Sequence, residues 1–209
     1  MIAIIDYGAG NLGSVYKAFK FIGANVQVTS DPEVVACADK LVLPGVGAFT
    51  HCMMGLEGVH LTEATKEFIS SGKPFLGICV GLQMLFDESE EMGASPGLGV
   101  LPGKVVRFNF EDNAAEARRL KVPHIGWNGL TFRPDAPLFA GLEQGERVYF
   151  VHSYYPQPED PAVVAATTDY GGDFCCAVQQ GNVHATQFHP EKSGAVGLQI
   201  LRNFAGIAA

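Results

Sequence analysis

Short, wholly apolar runs alternate with stretches of helical spacing through the first half of the chain. Ile2–Ile5 is continuously apolar, and residues 12–23 follow with Val15, Ala18, Phe19 and Ile22 on one helical face. Val26 and Val28 share one side of a second strand at 25–29, and Lys40-Leu41-Val42-Leu43 is a third, closed by Pro44-Gly45. A helix is expected over roughly 61–71, then an apolar strand, Pro74-Phe75-Leu76-Gly77-Ile78, then a helix from Leu82 to Glu88. Alternation of this kind predicts a mostly parallel central sheet with helices on both faces, a three-layer α/β fold.

Beyond about Gly97 the pattern shortens. Strands are expected at 104–108, 147–151, 162–168, 174–179 and 183–188, with turns at Gly171-Gly172 and Gly181-Asn182 between the last three. These are additional antiparallel strands in the C-terminal half. A closing helix carries Val196, Ile200, Leu201 and Phe204 on one stripe, and the polar stretch 109–120 is expected as a surface excursion. Residues 1–209 show no linker or repeat, so a single domain is the economical expectation.

Composition narrows the partners. A net charge of −8 with no basic run leaves nothing to neutralise phosphates, so a nucleic-acid partner is not expected. No apolar stretch reaches membrane-spanning length, and Met1-Ile2-Ala3-Ile4-Ile5-Asp6 lacks the basic start of a signal peptide. Five cysteines, an odd number without framework spacing, fit a reducing, cytoplasmic location.

The candidate chemistry begins at Gly77-Ile78-Cys79-Val80-Gly81. A strand leading into a small-residue turn and then a helix is the arrangement that lifts a nucleophile out of a sheet, here with a cysteine. Flanking glycines permit the strained turn and close backbone approach, and a helix N-terminus behind the sulfur favours the thiolate. A buried, inert thiol is the alternative. A nucleophilic thiol needs a base, and the base a group that orients it. His189 and Glu191, two apart at a strand end interrupted by Pro190, supply such a pair. The Pro44-Gly45-Val46-Gly47 turn ends another strand and can present backbone N–H groups to an oxyanion, with the Val80 amide as second donor.

Other signals compete or fall away. Gly8-Ala9-Gly10-Asn11-Leu12-Gly13 fits a dinucleotide-binding fingerprint, with Asp31 near the place of a ribose-binding acid, but that reading leaves the cysteine turn and the His-Pro-Glu segment unexplained. Cys175 and Cys176 point to opposite faces of a strand, and His51-Cys52 lacks a second ligand cluster, so no metal is expected. Pro123-His124-Ile125-Gly126-Trp127-Asn128 places the only tryptophan in a turn-like setting, as buried packing or as a partner contact.

With Cys79, His189 and Glu191 assembled, the chain resembles the class I glutamine amidotransferases. Within that class it is similar to the glutaminase subunits of imidazole glycerol phosphate synthase, through Asp6-Tyr7-Gly8-Ala9-Gly10-Asn11, Pro44-Gly45-Val46-Gly47, the Pro123–Asn128 and Tyr149–Tyr154 segments and Gln187-Phe188-His189-Pro190-Glu191-Lys192-Ser193. Val80 and Leu82 stand where Leu and Met are often found, apolar exchanges that leave the turn possible.

The resemblance implies glutamine hydrolysis by a Cys79–His189–Glu191 triad and no cofactor. It implies an oxyanion held by the Val46 and Val80 amides, and glutamine held by Gly47, Gln83, Ser153 and Tyr154. It also implies a heterodimer with a HisF-type cyclase, a (β/α)8 barrel that uses the ammonia in histidine biosynthesis, with His124, Trp127 and Lys192 as interface candidates. In such a family the glycine-rich loop at 8–13 binds no dinucleotide. Val46, β-branched where a Gly is common, resists a peptide flip, so the oxyanion donor is expected to form when a partner shifts the equilibrium.

Overall fold

The apolar runs become the middle of a large twisted sheet. A computed structural model describes residues 1–110 and 120–208. Among these, one eight-stranded sheet holds β1 (Ile2–Ile5), β2 (Val26–Thr29), β3 (Lys40–Gly45), β4 (Phe75–Cys79), β9 (Thr131–Phe132), β12 (Val164–Asp169), β13 (Asp173–Gln180) and β14 (Val183–Thr186), in the order β2-β1-β3-β4-β14-β13-β12-β9. From β2 to β14 all pairings are parallel; from β14 to β9 they are antiparallel. Every residue of β1, β3, β4 and β14 is buried, which is why β1, β4 and most of β3 read as apolar runs without alternation.

The helices are α1 (Leu12–Phe21), α2 (Pro32–Cys37), α3 (Phe49–Gly58), α4 (Thr62–Ser70), α5 (Val80–Gln83) and α6 (Gly194–Gly206). Right-handed crossovers place α1, which moves the chain from β1 out to β2, on one face, and α2 to α4, which carry it back across to β3 and β4, on the other. In agreement, α1 packs on α6, with the Phe19 and Phe204 rings 6.3 Å apart edge to face, whereas α2 packs on α4. The reversal of direction falls between β1 and β3, so the loops after β1, β3 and β4 converge where α/β sheets bind ligands.

Two smaller groups cover that end. One is the antiparallel pair of β8 (His124–Gly129) and β10 (Arg147–His152); the other is β11 (Tyr154–Pro158), β7 (Leu101–Arg107), β5 (Phe86–Ser89) and β6 (Ser95–Pro96). Two local expectations change here. The helix expected at Leu82–Glu88 is only the single turn α5, followed by a strand. The Met84 and Leu85 carbonyls, which would continue it, accept instead from the amides of Leu98, Val100 and Leu101 at 2.7 to 2.9 Å. The segment around Trp127, expected as a turn, is the strand β8, paired residue for residue with β10. Helix α3 was not anticipated. Of the excursion expected at 109–120, residues 111–119 lie outside the described residues.

Candidate active site

Cys79 sits at the end of β4 with φ 57° and ψ −110°, a left-handed conformation rare for a side-chain-bearing residue. The turn is possible because the residues two before and two after Cys79 have no Cβ. A Cβ on Gly81 would lie 1.9 Å from the Leu43 carbonyl oxygen, and one on Gly77 would lie 2.6 Å from that of Gly81. The register of β3 against β4 sets Gly45 beside Cys79, so the Pro44–Gly47 turn lies next to the thiol.

His189 leaves the sheet just after β14, in extended conformation ahead of a short 3-10 turn, Pro190–Lys192. Its backbone is fixed on both sides: its N–H donates to the Tyr149 carbonyl at 3.0 Å, and its carbonyl accepts from Ser193 Oγ at 2.6 Å. His189 Nδ1 lies 2.9 Å from Glu191 Oε1, both side chains almost wholly buried. The other ring nitrogen, Nε2, is buried and makes no hydrogen bond among the described residues, and Cys79 is the second side chain that acts on the ring. Burial alone would discharge this imidazole, but the Cys79 and Glu191 side chains on its two sides outweigh burial and lift it from 6.5 to about 10. The geometry therefore favours a charged ring between Cys79 and Glu191, with a donor ready to pass a proton onward.

A cleft of about 570 Å³ opens over these groups, within the range of small-molecule sites. Of the residues expected to serve it, Cys79, Val80, Val46, Gly47, Gln83, Ser153, Tyr154 and His189 line it, as does Lys192, an interface candidate. Val80 is the first residue of α5, so its amide has no partner within the helix. Among the proposed interface residues, Trp127 is half-exposed and stacks edge-on at 5.9 Å against Tyr149, whose ring also lies under Lys192 Nζ. His124, by contrast, is buried, so it reaches any docking surface only through its neighbours.

The structure adds contacts for residues to which the sequence assigned no individual role. Gln187 Nε2 donates to Cys79 Sγ at 3.7 Å, and its carbonyl oxygen accepts from Gln83 Nε2 at 3.0 Å. Asn11, from the glycine-rich loop after β1, donates to Glu191 Oε1 at 3.5 Å, so that loop reaches the carboxylate beside His189. Beneath the Pro44–Gly47 turn, the Tyr7 hydroxyl donates to the Pro44 carbonyl at 2.7 Å and the Cys52 thiol to that of Val46 at 3.5 Å. Burial raises the pKa of both, which keeps them protonated as donors. Glu91 is the one carboxylate among the described residues lining the cleft, and it accepts the Phe49 amide at 2.8 Å at the start of α3. Among the described residues no group of three His, Cys, Asp or Glu side chains could hold a metal ion, and no helix is long and apolar enough to cross a membrane.

The model of the family described as "Glutamine amidotransferase class-I" matches residues 3–207. The chain belongs to the class I glutamine amidotransferases. Among its relatives, a protein of Syntrophotalea carbinolica named imidazole glycerol phosphate synthase subunit HisH is 59% identical over 204 residues, 98% of each chain. A protein of the same name from Geobacter sulfurreducens is 55% identical, covering 97% of each. A crystal structure titled glutamine amidotransferase superposes with a TM-score of 0.75 at 21% identity, over 99% of this amidotransferase and all of that chain, a likeness of fold.

Proposed function

We infer that this amidotransferase is the glutaminase subunit of an imidazole glycerol phosphate synthase and that residues 1–209 act as one domain. The observation that carries the chemistry is His189 held between Glu191 and the strained Cys79 turn. The Cys79 thiolate attacks the side-chain carbonyl of glutamine, and the developing oxyanion is met by the Val80 amide and the Val46 amide. His189 gives its proton to the departing ammonia; the resulting thioester is hydrolysed by water that His189 deprotonates, releasing glutamate. Glu191 holds the ring in register throughout. Gly47, Gln83, Ser153 and Tyr154 form the wall that holds glutamine, and Glu91 faces its α-ammonium group.

Partner choice rests on the names of the relatives and on one patch. Ile125 and Trp127, two apart on β8 and so on the same side, are exposed beside Tyr149 and Lys192 at the mouth of the cleft. A HisF-type cyclase barrel seated there, forming a heterodimer, would receive ammonia directly. Its products would be imidazole glycerol phosphate and an aminoimidazole carboxamide ribotide. A cytoplasmic setting belongs to the same reading, in keeping with five free cysteines.

The test is glutamate release from glutamine by the chain alone, with the cyclase, and with the cyclase plus its nucleotide substrate. Activity is expected mainly in the full mixture and is expected to vanish in Cys79→Ala. Release that survives Cys79→Ala would reject the nucleophile, and a rate indifferent to the cyclase would reject the partner.

A further inference from the structure

In the cleft wall, His152 contacts a second histidine behind it, His124. His124 Nδ1 is 3.2 Å from His152 Nε2; His124 Nε2 is 2.9 Å from Asn128 Oδ1; His152 Nδ1 is 2.8 Å from the Tyr154 carbonyl oxygen. The Asn128 amide cannot be turned round, because its Nδ2 donates to the Asp169 carbonyl at 2.8 Å. Its Oδ1 therefore accepts. The Tyr154 oxygen also only accepts, and it already takes a bond from Gln83 Nε2 at 2.9 Å.

These contacts can be counted. Each outer contact needs a ring N–H, and the contact between the rings needs one more, three in all. Two neutral imidazoles carry two. A third proton is opposed by the surroundings. Burial lowers His124 despite its bond to Asn128; burial drives His152 down to about 3, and charges on His124 and His189 push it the same way. The rings packed against the pair are Phe108, Phe150, Tyr170 and Phe174, and no carboxylate is among them. The neutral pair thus always leaves one of three contacts unmade: at Asn128, between the rings, or at Tyr154.

We propose that His152 is a positioning residue of the glutamine pocket, acting through the Tyr154 carbonyl, and that His124 governs it by competing for the proton the two rings share. The inference rests on the reading of this cleft as a glutamine site. When His124 keeps its proton on Nε2 for Asn128, the inter-ring bond is made only if His152 carries its proton on Nε2, and Tyr154 loses its second donor. When the Asn128 contact is given up, His124 donates from Nδ1 and His152 is free to donate to Tyr154. Asn128 and His124 lie on the inward side of β8, whose outward side carries Ile125 and Trp127. A subunit docking on that outward face would therefore bear on the strand that carries both His124 and Asn128. From Tyr154, Gln83 leads to Gln187 and to Cys79 Sγ through the bonds already described.

Asparagine in place of histidine retains a donor near the Nδ1 position, glutamine one near Nε2. In the complex with the cyclase, His152→Gln should raise KM for glutamine about tenfold with kcat within about twofold, one hydrogen bond's worth. His152→Asn should stay within about twofold of the parent in both. His124→Phe, which keeps a ring in the stack but removes the competitor, should lower KM about threefold. Equal damage from the Asn and Gln variants, or a KM raised by His124→Phe, would overturn the proposal. Long-range nitrogen-15 spectra of the ring nitrogens give a second answer independent of activity: His152 should carry its proton on Nδ1 only in part, and fully in His124→Phe. A proton fixed on Nδ1 in both proteins would refute the competition. If the parent complex releases no glutamate, it is the glutamine reading that fails, while the spectra still decide the relay.

Discussion

Two buried histidines border the same cleft and are driven in opposite directions. His189 is lifted to about 10 and His152 is lowered to about 3. Burial acts on both in the same sense, against the charged ring. What differs is the company: His189 stands between a carboxylate and a thiol, whereas His152 has only a backbone carbonyl, a second imidazole and aromatic faces. Burial alone therefore does not make a histidine a neutral core residue. The anion beside it decides whether the buried ring is held charged or neutral.

The largest effect is expected from making His189 resemble His152. Glu191→Gln removes the anion but keeps the shape, so the charged ring loses one of its two supports and its orientation is no longer enforced. We expect kcat of the cyclase complex to fall about 10²- to 10⁴-fold, roughly 3–5 kcal/mol of barrier, with KM changed little. Steady-state glutamate release checks this. A variant with kcat near that of the parent would mean that Cys79 and the backbone anchors suffice to hold the ring.

A smaller effect separates the two histidines by stability. His189 has a folded value above its ordinary 6.5, so its contribution is full below pH 6.5 and drains as pH climbs toward about 10. His152 has a folded value below 6.5, so the stability tied to its neutral ring is present above pH 6.5 and drains as pH falls toward about 3. Thermal unfolding of the parent, His189→Asn and His152→Asn from about pH 4 to about pH 10 should give two difference curves of opposite slope. The parent's advantage over His189→Asn should shrink toward the alkaline end, and that over His152→Asn toward the acid end. Curves of like slope would remove the distinction.

The same contrast explains what could be read from residue order. The grouping of Cys79, His189 and Glu191 was legible because its signals are local: a G-x-C-x-G turn and a His two residues from a Glu. The parallel strands were legible because burial on both faces leaves runs such as Phe75–Cys79 apolar throughout. The stretch 82–88 kept helical spacing, yet its carbonyls were captured by residues 98–101, a competition that no local pattern records. Strand β8 looked like a turn because Pro123, Gly126 and Gly129 punctuate it; only its pairing with β10 makes it extended. Gln187, Asn11, Glu91 and His152 were not singled out for a similar reason. Each is a single polar residue whose role depends on a partner elsewhere; Gln187 meets Cys79 across 108 positions and Asn11 meets Glu191 across 180.

Asn11 offers the smallest and most discriminating change to the His189 side of the comparison. It occupies the N-cap of α1, where an asparagine ordinarily accepts a helix amide, but its side chain makes no capping bond. Its amide instead reaches Glu191 Oε1, at a long 3.5 Å, on the same oxygen that meets His189. A function that diverts a capping residue in this way leaves helix stability unclaimed. Asn11→Ser should recover it: a serine can cap α1, raising stability by up to about 1 kcal/mol, but is too short to replace the amide at Glu191. We expect an equal or higher melting temperature together with kcat lowered about two- to threefold, the cost of one weak bond to a carboxylate that His189 still holds. Asn11→Ala loses the same contact without gaining a cap, so its kcat should match that of the serine variant while its melting temperature does not rise. Unchanged kcat in both would show that Glu191 is held by His189 alone and that the glycine-rich loop only passes beside it.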